Sequence, residues 1–265
     1  MGSGSQHFGP ALGEARIAAL HRYPVKGLSP ESLDAVQVTP GDPFPHDRRY
    51  AIENGPSGFD ARSPAHLPKI AFLMLMRNEA LARLRTRFDP ETTTLTIHDG
   101  ADMAAAGDLS RPEGRAAIED FFARFSAKDL RGTPRVLEAP AFSFSDTPRR
   151  VVSIINRASV QDLEARLGRP VDPLRFRGNV LAEGWPAWSE LDLVGAELRS
   201  TAGVRLTVVK RIQRCAATNV DPTTAERDMN IPATLQRAFD HADCGVYAEV
   251  TGGGTLALGD TLALG

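Results

Sequence analysis

Hydrophobic and polar positions along this chain rarely hold one period for more than eight residues. Short alternating or β-branched runs are broken again and again by turn residues, among them 23 glycines and 19 prolines, which is the pattern of an all-β sandwich or barrel. In the first half, strands are predicted at 16–23, 33–39, 49–53, 70–77, 81–88 and 93–98. The last two flank Asp89-Pro90-Glu91-Thr92 and read as a hairpin. Helical spacing is found at 112–125, with Pro112 in the first turn and Ile118, Phe121, Phe122 and Phe125 on one face.

Strands resume at 151–155, 179–182, 197–200, 205–212, 245–250 and 261–264. A second helix is predicted from Ser159, a good N-cap residue, through Leu167, stopped by Gly168 and Pro170. A short third helix is predicted near 232–239. Gly252-Gly253-Gly254, between two strand signals, reads as a hairpin turn. The passage 101–148 separates two β-rich halves, so the expected organisation is a tail at 1–13, an N-terminal β unit at 14–138 and a β barrel at 139–265. The expected fold class is mainly β (α+β) with few short helices and no internal repeat.

Composition narrows the function classes. With 265 residues the chain can bury one large core or two ordinary ones. A formal charge of −2 gives no reason to expect a nucleic-acid partner, and no apolar run approaches the roughly 18 to 20 residues of a membrane span. The Gly- and Ser-rich start has no hydrophobic segment like that of a secretory signal, so it reads as a disordered tail. Together with only two cysteines, this makes a reducing, cytoplasmic setting the expectation.

Charge is less even locally. Arg149, Arg150, Arg157, Arg166, Arg169, Arg175 and Arg177 crowd one stretch, and Lys210, Arg211 and Arg214 another. Brought together, they would form a pocket for an anionic ligand such as a phosphorylated cofactor; left apart, they are solvated surface arginines. Cys215 follows Arg214. Nearby cations favour a thiolate, the form that attacks electrophiles or ligates a soft metal, whereas a free cysteine at a strand end is equally a small buried apolar residue. Cys244, in Asp243-Cys244-Gly245, reads as a packed strand residue.

Other motifs also admit two readings. Lys26, on the turn of Tyr23-Pro24-Val25-Lys26-Gly27, is a surface charge or an anion contact. Arg48 and Arg49 open a strand facing opposite ways, and an inward guanidinium needs either a carboxylate such as Asp47 or a bound phosphate. Arg175 and Arg177 share a face if extended, with Gly178 permitting close approach of a ligand or a turn of positive φ. The chain has no CxxC, HExxH, GxSxG or Walker sequence, and its six histidines lack metal-ligand spacing.

Taken in order, Tyr23-Pro24-Val25-Lys26, Asp47-Arg48, Arg175-Phe176-Arg177-Gly178-Asn179, Arg214-Cys215 with Thr218, Val220-Asp221-Pro222, Gly245-Val246-Tyr247 and Gly259-Asp260 resemble the MOSC family. This is the molybdenum cofactor sulfurase C-terminal domain, here preceded by its N-terminal β-barrel partner. The resemblance spans 14–265 and is closest to two-domain members such as the mitochondrial amidoxime-reducing component and its bacterial relatives. It implies a pterin molybdenum cofactor (molybdopterin) in a cleft between the domains, with Cys215 bonding the metal. Lys26, Arg48, Arg177 and Asn179 fall where the family contacts the pterin and its phosphate. Arg214 and Asn156 join that cofactor-binding set; Thr218 and Asp221 lie in the signature around the metal ligand, with Cys215 and Asp221 in the expected catalytic roles. The chain departs from many relatives at Gly27, commonly Ser, at Gly178, commonly Pro, and at Asn156, commonly Ser or Thr.

Three functions fit this resemblance. The first is a molybdenum oxidoreductase that reduces N-hydroxylated small molecules. Two cysteines cannot hold an iron–sulfur cluster, so its electrons would come from a separate protein of ferredoxin or flavin-reductase type. The second is a sulfur carrier using a Cys215 persulfide, and the third a non-catalytic cofactor-binding module.

Overall fold

The computed structural model describes residues 12–265, so most of the expected tail lies outside the described residues. The first half holds β1 (Ala15–Arg22), β2 (Glu31–Leu33), β3 (Ala35–Val38), β4 (Tyr50–Glu53), β5 (Leu84–Asp89), β6 (Thr94–Asp99), β7 (Asp102–Asp108), α1 (Pro112–Phe125) and β8 (Arg135–Glu138). The second holds β9 (Val152–Asn156), α2 (Arg157–Leu167), β10 (Val180–Glu183), β11 (Glu197–Ser200), β12 (Arg205–Gln213), α3 (Ile231–Phe239), β13 (Asp243–Gly252), β14 (Gly254–Ala257) and β15 (Thr261–Leu264). The fold is mainly β, as the residue pattern predicts.

Seven strands close into a barrel in the order β10-β9-β13-β12-β11-β15-β1, with β1 pairing back onto β10 and β2 added beside β1. Alternate residues point inward, so Ile17, Leu20, Ile154, Val180, Leu198, Leu206, Val208, Val246 and Leu262 form one core. Strand pairing crosses the division at 138/139 read from the sequence. β1 is antiparallel to both β10 and β15, because its alternating apolar face completes the barrel core rather than a separate N-terminal one.

The remaining N-terminal residues build a smaller unit, the antiparallel sheet β5-β6-β7 covered by α1. Ile118 and Phe122 are fully buried against Leu84, Phe88, Leu95 and Ile97, each such burial contributing about 1.5–3 kcal/mol. Ribbon β3–β14 packs on the barrel core through Val36, Val38 and Leu256, and ribbon β4–β8 on the core of the smaller unit through Tyr50, Ile52 and Val136.

Several elements differ from expectation. Residues 70–77 are not a strand; after a 3-10 helix, Lys69–Ala71, Asn78 closes a turn by accepting from Met74 N at 2.9 Å and donating its own N–H to Met74 O at 2.9 Å. The start of 81–88 is a 3-10 helix, Glu79–Arg83, before β5 begins. The cap of α2 is Asn156, whose side chain accepts from Ala158 N, because the hydroxyl of Ser159 is taken by the buried Glu190. Gly252-Gly253-Gly254 does not make a hairpin: β13 pairs with β12 and β9, whereas β14 leaves the barrel to pair with β3.

Candidate functional site

Both halves contribute to one cleft with a cavity volume of about 290 Å3. Its walls come from the turn after β1, the approach to β4, the 74–76 turn, the 145–147 segment, residues 175–179 and the end of β12. Eight lining residues are Lys or Arg and only two, Asp47 and Asp146, are carboxylates. Such a wall attracts an anion of more than one charge.

Cys215 lies where β12 ends, as the extended N-cap of a 3-10 helix, Ala216–Asn219. The backbone N–H of Thr218 donates to Cys215 O at 3.0 Å and its hydroxyl does so at 2.9 Å. Thr218 therefore closes the turn that presents the thiol. Cys215 is half-buried, free and on the cleft wall. Cys244 is also free but completely buried, and burial pushes its thiol up to about 12, so it stays protonated and inert. Arg214, beside the thiol, is anchored on backbone carbonyls. It donates to Cys244 O through Nε at 2.8 Å and to Phe176 O through Nη1 at 2.8 Å, tying the end of β12 to β13 and to the 173–176 turn.

On the opposite wall, Tyr23 is fully buried with the guanidinium of Arg48 4.6 Å and that of Arg177 4.2 Å from its ring centre. Arg48 is paired with Asp47, which also accepts from Tyr23 N at 2.8 Å, and Arg48 donates to Arg177 O at 2.9 Å. The inward guanidinium thus has an internal carboxylate, one of the two partners open from sequence; Arg49 pairs instead with Glu138 at 2.7 Å. Arg177 donates through Nη1 to Leu28 O at 2.8 Å, while its buried Nη2 has no partner among the described residues. Burial, reinforced by repulsion from Arg48, pushes Arg177 down to about 10. Arg48 and Arg177 both have positive φ, 48° and 52°, a strained backbone for non-glycine residues that is concentrated at functional sites.

Lys26 is buried, not a surface charge. Its Nζ donates to Phe144 O at 2.8 Å and to Asp146 Oδ1 at 2.5 Å. Burial lowers its pKa, with Asp146 opposing that effect. Gly27 beside it has φ +84°, and a Cβ there would sit 3.0 Å from Leu73 O, so this turn excludes the common serine. At Gly178 the reason is packing: a Cβ would lie 2.3 Å from the Ile155 side chain.

Asn179 lines the cleft with its amide oriented by the wall, accepting from Ser153 N and Oγ at 3.0 and 2.7 Å and donating to His21 O at 3.1 Å. Arg175 and Arg177 do not share a face, because Pro173–Phe176 is a 3-10 helix rather than extended chain. Arg175 is paired with Asp221 at 2.7 Å and Asp228 at 2.8 Å.

Two expected site residues are not on the cleft wall. Asn156 caps α2 and donates to Pro186 O at 2.8 Å and Glu190 Oε2 at 3.0 Å. Asp221 holds Arg175 with one oxygen and, with the other, the N–H groups of Thr223 and Thr224 at 2.7 and 2.9 Å. Its role is to shape the loop after Cys215. Of the crowded arginines, Arg149, Arg150, Arg157 and Arg166 form ion pairs elsewhere, and Arg169 shares Asp228 with Arg175. The residue pattern gave no signal for Met74, Leu75 and Met76 on the wall, since it read them as strand. Tyr247, in the Gly245-Val246-Tyr247 motif, also lines the cleft, with its phenol kept protonated by burial.

A barrel joined to a smaller β unit, with a cation-rich cleft that one half-buried thiol lines, defines a class of two-unit β proteins. Residues 14–131 match the MOSC N-terminal beta barrel domain and residues 141–263 match the MOSC domain. The chain belongs to the MOSC family, whose domains are associated with molybdenum cofactor binding or with sulfurase-like proteins. Among solved structures it is similar to the YUAD protein from Bacillus subtilis, at 13% identity over 96% of both chains with a TM-score of 0.47. It is also similar to YiiM from Geobacillus stearothermophilus, at 19% identity over 43% of this chain and 53% of that one, with a TM-score of 0.34. No protein of curated function matches it. No described helix is long and apolar enough to cross a membrane.

Proposed function

We propose that this chain holds a pterin molybdenum cofactor in the cleft and reduces small N-oxygenated molecules with electrons from a separate donor protein of ferredoxin or flavin-reductase type. The observation that carries this reading is the free, half-buried Cys215 thiol lining the same cleft as an excess of cations. The residues fit such a group in two further respects. The unpartnered, buried Nη2 of Arg177 is a donor in want of an anion. Among the described residues no three His, Cys, Asp or Glu side chains converge on a point, so Cys215 would hold a metal together with donors that the cofactor itself carries.

In this reading Cys215 supplies a soft thiolate ligand, and Lys26, Arg48 and Arg177 hold the phosphate. Asn179 fixes the wall between them through Ser153 and His21 O, and Thr218 fixes the Cys215 turn. The cofactor, when bound, supplies a metal centre able to exchange two electrons. The apolar turn at 74–76 shields the thiol side of the cleft.

Expressed in a host that makes the cofactor, the protein should copurify with near-stoichiometric molybdenum, and Cys215→Ala should lose it while Cys244→Ala keeps it. Wild-type protein without the metal under those conditions overturns the reading. Metal without reduction of any N-hydroxylated substrate, given a competent donor, reduces it to a cofactor-binding module.

A further inference from the structure

Arg227 belongs to none of the motifs above, yet its guanidinium touches both walls of the cleft beside Cys215. Nη1 donates to Ala216 O at 3.0 Å, directly after the cysteine. Nη2 donates to Leu75 O at 2.8 Å and to Met76 O at 2.9 Å on the N-terminal wall, and Glu79 Oε2 lies 3.0 Å from the same nitrogen. Among the described residues no other hydrogen bond joins the 74–78 turn to 215–220.

The two partners are formed locally and left with free acceptors. Asn78 closes its turn through Met74 alone, so Leu75 O and Met76 O remain available. Beyond Cys215, Asp221 caps Thr223 and Thr224, and its N–H donates to Glu226 O at 2.8 Å. This folds the loop back, and a bridge between Val220 and Arg227 delivers the arginine over Ala216. Leu75, Met76, Cys215 and Ala217 line the same cavity.

We propose that Arg227 is a positioning residue that clamps the Leu75 and Met76 lip against the Cys215 turn and so sets the size of molecule that reaches the thiol. A methionine at such a lip adapts its shape once its backbone is released, so loss of the clamp widens access instead of closing it. The proposal makes Arg227 a determinant of substrate size for the reductase proposed above and rests on Cys215 being that site's metal ligand, but its test needs no cofactor.

In full-length, cofactor-free protein, Cys215 would be alkylated with iodoacetamide or with a fluorescein maleimide, and the labelled cysteine identified by mass spectrometry. In Arg227→Ala the rate with the bulky maleimide should rise about tenfold, the effect of losing at least one charge-assisted hydrogen bond, while iodoacetamide gains much less. Arg227→Lys, which can still reach one carbonyl, should fall between. Cys244 stays unlabelled and reports that the fold is intact. Equal gains with both reagents, or none, overturn the proposal. If Arg227→Ala also exposes Cys244, the chain has opened globally and the same reagent ratio in Arg227→Lys and Glu79→Gln decides, a ratio of wild-type value refuting the clamp. In molybdenum-loaded protein, Arg227→Ala should lower KM for bulky substrates relative to small ones. Changed labelling in a protein that takes up no molybdenum would refute the proposed function and leave the clamp standing.

Discussion

Replacing Arg177 with Met should cost the protein its anion but almost none of its stability. Holding the guanidinium in the folded state depresses it well below its ordinary value, to about 10, a penalty of roughly 3 kcal/mol. Against this stand one charge-assisted hydrogen bond to Leu28 O, about 1.5–3 kcal/mol, and the contact with the Tyr23 ring, about 0.5–2 kcal/mol. These nearly cancel, and methionine keeps much of the apolar stem. The melting temperature of Arg177→Met without ligand should therefore lie within about 3 °C of the parent. Inorganic phosphate, followed by calorimetry, should bind about tenfold or more weakly. Because the folded value lies below the unfolded one, the penalty is fully present below about pH 10 and is relieved only as pH rises above it. The stability difference should thus be flat across the neutral range. A variant that melts far lower yet binds phosphate normally would refute this reasoning and make Arg177 a structural residue.

Asn156→Ala should lower stability by about 2 kcal/mol or more, measured by urea denaturation, through loss of the α2 cap and of the hydrogen bonds to Pro186 O and the buried Glu190, and leave phosphate affinity unchanged. Asp146→Asn removes the carboxylate that competes for Lys26. Since Asp146 is half exposed and such pairs contribute about 0–1 kcal/mol, phosphate binding at pH 7 should tighten by no more than about fivefold. At Glu53 burial pushes the carboxyl up, but hydrogen bonds from Arg135 and Ser57 outweigh it and hold the group below its usual range. Its stabilising contribution is present above about 4.5 and lost as pH falls through the lowered folded value. Glu53→Gln should therefore be less stable than the parent at pH 7 by about 1–3 kcal/mol, and chemical denaturation at falling pH should show the gap closing.

Elements with strong local signals were legible from the residues alone. Pro112 and the phenylalanines bound α1 at the residues observed, and 197–200 and 261–264 are strands as read. β7 gave no signal, because Asp102–Asp108 is alanine-rich and lacks β-branched side chains; only its neighbour β6 makes it a strand. In the site, Lys26, Arg48, Arg177, Asn179, Arg214, Cys215 and Thr218 were each identifiable, and the fold brings them to one cleft. What each charge does there was not. Lys26 meets Phe144 O, Arg177 meets Leu28 O and Arg214 meets Cys244 O, partners distant in sequence that only the fold supplies. Asn156 and Asp221 misled for a related reason: both are small polar residues equally suited to caps and to ligand contacts. Arg227 was invisible because its partners are backbone carbonyls, which any sequence provides.

The closure of the barrel by its first strand governs the order of events during synthesis. β1 leaves the ribosome early, but its partners β10 and β15 end at Glu183 and Leu264. At about 5–20 residues per second, Ile17 and Leu20 wait about 10–50 s before the last ladder can form. Until then the edge of β10 that β1 will join is a template for other chains. Separating the halves at residue 138 would make that interval permanent: the second half alone would be a sheet with two open edges, and aggregation, not a smaller folded barrel, is the expected product.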